Sequence, residues 1–193
     1  MARINTVAVY LGSRSGKGNL FVENAFALGR MLAEAGIRIV YGGSSVGTMK
    51  ALADGAVAAG GEIVGVFPVG FKGKKDNAAA GIDVGPGGVT LTETIYVKDI
   101  AERIATMEHL SDAMIFLPGS FGTMTEAFSW LEEWQLGYHA KPAFILNSSG
   151  FYNGLLTQFD KMIAEGFMDS FDLKPLVTAE TPESLISKLL GIR

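Results

Sequence analysis

The chain has 193 residues, 48% of them hydrophobic and 19% charged, with a formal net charge of −4. This balance excludes a disordered chain and is enough for one sizeable core, so a single domain over residues 1–193 is expected. The acidic balance argues against nucleic-acid or anionic-membrane partners, yet a local anion site built from uncharged backbone N–H groups stays open.

In chain order, β-branched apolar runs alternate with helical patterns. Strands are expected at 6–12, 37–43, 62–68, 93–97, 113–119 and 142–147, each nearly continuous in hydrophobicity, as in strands covered on both faces. Helices are expected at 19–36, 46–60, 99–111, 123–137, 151–166 and 182–190. Asp99 and Glu102 have capping-box spacing, and Thr181-Pro182 reads as an N-cap followed by Pro at the first helical position. The alternation predicts an α/β fold: a Rossmann-like, doubly wound, mostly parallel sheet with helices on both faces. The Gly- and Ala-rich segment 70–90 reads either as a surface insertion or as a lid over a site.

Cys is absent and His occurs only as His109 and His139, which removes disulfides, thiolate metal sites and a His-rich centre. No metal and no cofactor is expected, and both histidines read as structural or exposed. No run reaches the about 18 apolar residues of a membrane-spanning helix, and the opening MARINTVAVY has no secretory pattern. A cytoplasmic protein is the simplest expectation.

Three small-residue turns follow three strands: LGSRSGKGN, YGGSSVGTM and LPGSFGTMT. In a doubly wound sheet all three lie at the carboxyl edge, where ligands bind. Their glycines allow close backbone approach, and the following helix starts aim N–H groups at an anion. Gly12 to Gly18 fails the G-x-x-x-x-G-K-[ST] pattern, and the second turn lacks G-x-G-x-x-G. A small phosphorylated ligand therefore fits better than a nucleoside triphosphate or a nicotinamide dinucleotide. Glu126 carries two readings. Thr123-Met124-Thr125-Glu126 fits a capping box; alternatively Glu126 is a reactive carboxylate one turn inside a phosphate-binding helix. Trp130 and Trp134, four apart, read as core or dimer contact rather than as a base-stacking platform.

PGSFGTMTE (118–126) resembles the P-G-G-x-G-T-x-x-E motif of the LONELY GUY family, cytokinin-activating phosphoribohydrolases often labelled possible lysine decarboxylases. YGGSSVGTMKALADGA (41–56) resembles the family's Y-G-G-G-x-x-G-L-M-G segment, and DIAERIATM (99–107) its M-x-x-R-K segment. The resemblance implies hydrolysis of the N-glycosidic bond of adenosine 5′-monophosphates, including N6-modified ones, giving free base and ribose 5-phosphate. It implies a catalytic pair of Arg103 and Glu126, a phosphate cradle of Gly119, Ser120, Gly122 and Thr123, further substrate contacts at Gly12, Ser13, Gly43 and Gly47, and a homodimer. Pyridoxal chemistry is not implied, because no lysine stands out as a Schiff-base former. Ser120, Ile104, Ile100, Ser44, Thr48 and Lys50 depart from the family pattern, which keeps a non-catalytic nucleotide-binding module as the alternative.

Overall fold

The computed structural model describes residues 3–69 and 91–192; the 70–90 segment lies outside the described residues. The strands are β1 (Thr6–Tyr10), β2 (Arg38–Tyr41), β3 (Ile63–Pro68), β4 (Glu93–Val97), β5 (Ala113–Phe116), β6 (Ala143–Leu146) and β7 (Leu176–Ala179). They form one sheet in the order β4-β3-β2-β1-β5-β6-β7, with every pairing parallel. The helices described are α1 (Leu20–Glu34), α2 (Gly47–Ala58), α3 (Ile100–His109), α4 (Phe121–Gln135), α5 (Asn153–Ala164) and α6 (Pro182–Gly191). The expected doubly wound architecture is present. β7 was not expected: it is four residues, only its last one buried, and it follows a Pro at the sheet edge, so it lacks the continuous apolar run that marks a central strand.

The chain winds outward from β1 to β4, returns, and continues from β5 to β7. β1 and β5 are neighbours, so the winding reverses between them. Crossovers from these two strands leave toward opposite sides, which opens a crevice at their carboxyl ends. The central strands β1, β2, β3, β5 and β6 are buried almost throughout because helices cover both faces. One face packs Val7, Val9, Ile39 and Ile115 against α1, α2 and α6. The other packs Ala8, Tyr10, Met114 and Phe116 against Met107 of α3 and Ala127 and Trp130 of α4. This alternation is the period-2 pattern of a strand read from both sides. Among the described residues no helix is long and apolar enough to cross a membrane.

α1 and α2 meet backbone to backbone. A Cβ on Gly29 would lie 2.0 Å from the Leu52 carbonyl oxygen, and one on Gly55 would lie 2.1 Å from that of Phe26. The reciprocal glycines let the helices approach closely, and this fixes where the α2 start meets the sheet edge. Gly29→Ala is expected to destabilise the fold by roughly 3 kcal/mol through overpacking. Gly154→Ala, whose added Cβ meets no atom within 4 Å, is expected to be neutral or slightly stabilising. Urea denaturation of the two variants compares them directly.

Candidate functional site

The crevice is built from turns that touch. The Gly12 N–H donates to the Pro118 carbonyl at 3.3 Å, and a Cβ on Gly119 would fall 2.2 Å from Thr123 Oγ1. The Thr48 hydroxyl donates to the Gly12 carbonyl at 2.6 Å, tying the α2 start to the β1 turn. Beneath, the Tyr152 hydroxyl donates to the Leu117 carbonyl at 2.6 Å and holds the end of β5 in place. Gly47 has φ +59°, and a side chain there would collide with the Ser13 carbonyl at 2.3 Å.

α4 begins at Phe121, two residues before the expected start, with Ser120 as N-cap and no side-chain capping bond. Thr123 is therefore the third helical residue and cannot be the N-cap of a box closed by Glu126. This corrects the capping reading. The physical reason is that Ser120 turns out of β5 into an extended conformation and already supplies the carbonyl that accepts the Met124 N–H at 3.0 Å. The first N–H groups of α4 have no intrahelical partner and face the crevice. The Asp99–Glu102 box is realised in altered form: Asp99 accepts from the Glu102 N–H, but Glu102 accepts from the Lys98 N–H. Thr181 caps α6 as expected.

One turn into α4, Glu126 is 4% exposed and meets the guanidinium of Arg103 from α3, whose Nη2 donates to Glu126 Oε1 at 2.5 Å. Burial pushes the Glu126 carboxyl up to about 7, while Arg103 pulls the other way. A carboxyl poised there exchanges protons near neutral pH. The Tyr10 hydroxyl lies nearby, buried and without a hydrogen-bond partner; burial first, then the charges of Glu126 and Glu108, keep it neutral.

Two cavities adjoin. The first, about 200 Å³, is lined by Arg103, Glu126, Thr123, Gly122, Ser44 and Phe67, among others. The second, about 550 Å³, has aromatic walls of Phe21, Phe121 and Phe151. Gly12, Ser13 and Ser120 border both, and Gly119 borders the second. The structure thus gathers Arg103, Glu126, Gly12, Ser13, Gly119, Ser120, Gly122 and Thr123 around one opening. Gly43 and Gly47 line neither cavity; Gly43, at φ +78°, packs on the Phe67 ring and helps shape the turn. Sequence reasoning missed Phe67, Phe21 and Phe151 as wall residues, since an aromatic at a strand end or after a turn carries no distinguishing spacing. Ile104 is buried and lines neither cavity.

A second acidic cluster sits behind the site. Glu108 of α3 is buried and hydrogen-bonded to Glu133 of α4; burial, then Glu133, pushes its carboxyl up to about 7, against Lys141. Trp130 is fully buried beside His139, with ring centroids 4.3 Å apart, and Trp134 packs on Phe171 at 5.3 Å. His109 is exposed at the end of α3.

A Rossmann-like sheet carries an uncapped helix start and a buried carboxylate at its switch point, where doubly wound folds bind ligands. The family model described as "Possible lysine decarboxylase" matches residues 49–189, and the chain belongs to that family, the LONELY GUY family. A probable cytokinin riboside 5′-monophosphate phosphoribohydrolase of Oryza sativa subsp. japonica is 38% identical over 187 residues, covering 97% of this chain and 79% of the relative. A cytokinin riboside 5′-monophosphate phosphoribohydrolase of Rhodococcoides fascians is 35% identical over 184 residues, covering 95% and 88%. Among solved structures, the molybdenum cofactor binding protein of Rippkaea orientalis matches with a TM-score of 0.70 at 22% identity, covering 100% of this chain and 99% of that one. The molybdenum cofactor carrier protein of Chlamydomonas reinhardtii matches at 0.67 and 21%, covering 98% and 99%. At that identity these two likenesses describe the fold. Among the described residues no lysine lines either cavity.

The Glu108 carboxyl binds its proton more tightly folded than unfolded. Its stabilising contribution is therefore present below about pH 4.5 and is lost as pH rises through about 7. Glu108→Gln, which keeps a hydrogen-bonding partner for Glu133 without a charge, is expected to gain about 2–3 kcal/mol over the parent at pH 8 relative to pH 5. Urea midpoints at both pH values measure this, and a difference independent of pH overturns it.

Proposed function

We propose that this chain hydrolyses the N-glycosidic bond of adenosine 5′-monophosphates, including N6-modified ones, to free base and ribose 5-phosphate. The observation that carries this reading is the pairing of half-buried Arg103 with buried Glu126, one turn behind an uncapped helix N-terminus. The match to relatives named cytokinin riboside 5′-monophosphate phosphoribohydrolases supports it.

In this reading the 5′-phosphate sits at the α4 start, held by the N–H groups of Gly122 and Thr123, with Gly12, Ser13, Gly119 and Ser120 around it. Anchoring the phosphate places the sugar toward Glu126, and fixed placement contributes much of the rate. As the C1′–N bond lengthens, positive charge grows on the sugar, and the Glu126 carboxylate stabilises it. Water adds to C1′ and gives up a proton to Glu126, while the bond pair leaves with the base, which takes a proton from solvent; Glu126 then returns its proton to solvent. Arg103 keeps its proton, since its pKa exceeds about 12, and orients Glu126. Gly43 and Gly47 support the opposite wall.

We also propose that the protein works as a homodimer. α4, α5 and the following turn present exposed Phe128, Leu136, Tyr138, Phe167 and Phe171, an apolar area that a second copy would cover.

Purified protein incubated with AMP is expected to release adenine and ribose 5-phosphate, separated by chromatography, with adenosine cleaved at least about 100-fold more slowly. Glu126→Gln is expected to lower kcat by about 10²–10⁴-fold while AMP still raises the melting temperature. Stabilisation by AMP without base release from the parent protein would establish the non-catalytic nucleotide-binding alternative. Sedimentation at micromolar concentration is expected to give a dimer, and Leu136→Glu a monomer; a monomeric parent protein refutes the dimer.

A further inference from the structure

Ser44 stands in the turn between β2 and α2, where the family segment carries a third glycine. Its side chain is 6% exposed, lines the cavity that holds Arg103 and Glu126, and its Oγ has no hydrogen-bond partner. Buried hydroxyls are almost always satisfied in folded proteins. An unsatisfied one in a cavity wall marks where a polar atom of a ligand belongs.

The surroundings say which part of a nucleotide that atom comes from. A Cβ on Gly42 would lie 3.6 Å from Arg103 Nη1 and 3.4 Å from Met49 Cε. The β2 turn therefore runs along the guanidinium of the catalytic pair. The phosphate turn, Gly119 to Thr123, comes from the other half of the sheet, between β5 and α4. In the reading proposed above, a sugar would span from a phosphate at the α4 start to Glu126, within the cavity that Gly42 and Ser44 of the β2 turn also line. The groups a ribose offers there are its hydroxyls, each both donor and acceptor.

We propose that Ser44 is a specificity residue: its hydroxyl hydrogen-bonds a ribose hydroxyl, so that this site selects ribonucleotides over their deoxy counterparts. The proposal rests on the reading given above that a nucleoside 5′-monophosphate occupies the cavity. A sugar lacking the hydroxyl leaves Ser44 buried and unpaired, and a site built to hydrogen-bond a substrate hydroxyl discriminates strongly against its absence. A glycine at the same position offers no such partner.

The experiment compares AMP, 2′-deoxy-AMP and 3′-deoxy-AMP on the parent protein, Ser44→Ala and Ser44→Gly, reading kcat/KM for base release and the nucleotide-induced rise in melting temperature. The parent is expected to prefer AMP over one deoxynucleotide by at least about 10-fold. Both variants are expected to lose about that factor on AMP while staying within about 2-fold on that deoxynucleotide, which collapses the preference. An equal loss on all three nucleotides places the hydroxyl on the phosphate or in a structural role and overturns the proposal, as does an unchanged preference. If no base is released, the hydrolase reading fails but the melting comparison still decides the role of Ser44. A parent protein that AMP does not stabilise overturns both.

Discussion

A carboxylate almost sealed from water can persist in this fold because a guanidinium from the neighbouring helix meets it. Removing a charged group from water costs several kcal/mol, and a close opposite charge offsets part of that cost. The Arg103–Glu126 contact leaves Glu126 balanced near neutrality rather than locked in one protonation state. The rest of the architecture serves this contact. β1 and β5 pair at the switch point, α3 and α4 cover one face, and their packing on Met107, Ala127 and Trp130 brings the two side chains together.

The helix starts differ in how their backbone donors are satisfied. α3 and α6 are capped by Asp99 and Thr181, each satisfying a backbone donor within the protein. α2 and α4, whose starts flank the crevice, have no side-chain cap. A cap contributes about 1 kcal/mol to a helix. α1 and α5 lack a side-chain cap as well, but only the α2 and α4 starts flank the crevice, where free N–H groups are available to an anion; the net charge of −4 is no obstacle to binding at such dipoles.

Apart from Ile100, which is exposed at the α3 start, the departures from the family pattern fall into two kinds. Ile104 is buried, Thr48 bonds the Gly12 carbonyl, and Lys50 pairs with Asp54 at 2.5 Å, so these three are absorbed by packing and local bonds. Ser120 and Ser44 are different. Ser120 adopts an extended conformation open to any residue and makes no capping bond, and the Ser44 hydroxyl is unpartnered. Both line the cavity of Arg103 and Glu126.

The alternation of six strands and six helices, the turns after β1, β2 and β5, and the family itself were legible in the chain, because hydrophobic period and glycine punctuation are local signals. β7 was not, since an edge strand of four residues needs only β6 beside it and little apolar content of its own. The bonding of Glu126 also lay beyond local spacing. Thr-x-x-Glu fits a capping box equally well, and the choice fell to where Ser120 leaves β5 and where α3 sets Arg103, which lies 23 residues from Glu126 along the chain. The orphaned hydroxyl of Ser44 likewise became visible only once Met49, Phe67 and Arg103 enclosed it. What the sequence by itself determined is the order of elements and the chemistry present at their ends. Tertiary packing alone decided which of those groups face each other, because burial and partner choice depend on residues distant in the chain.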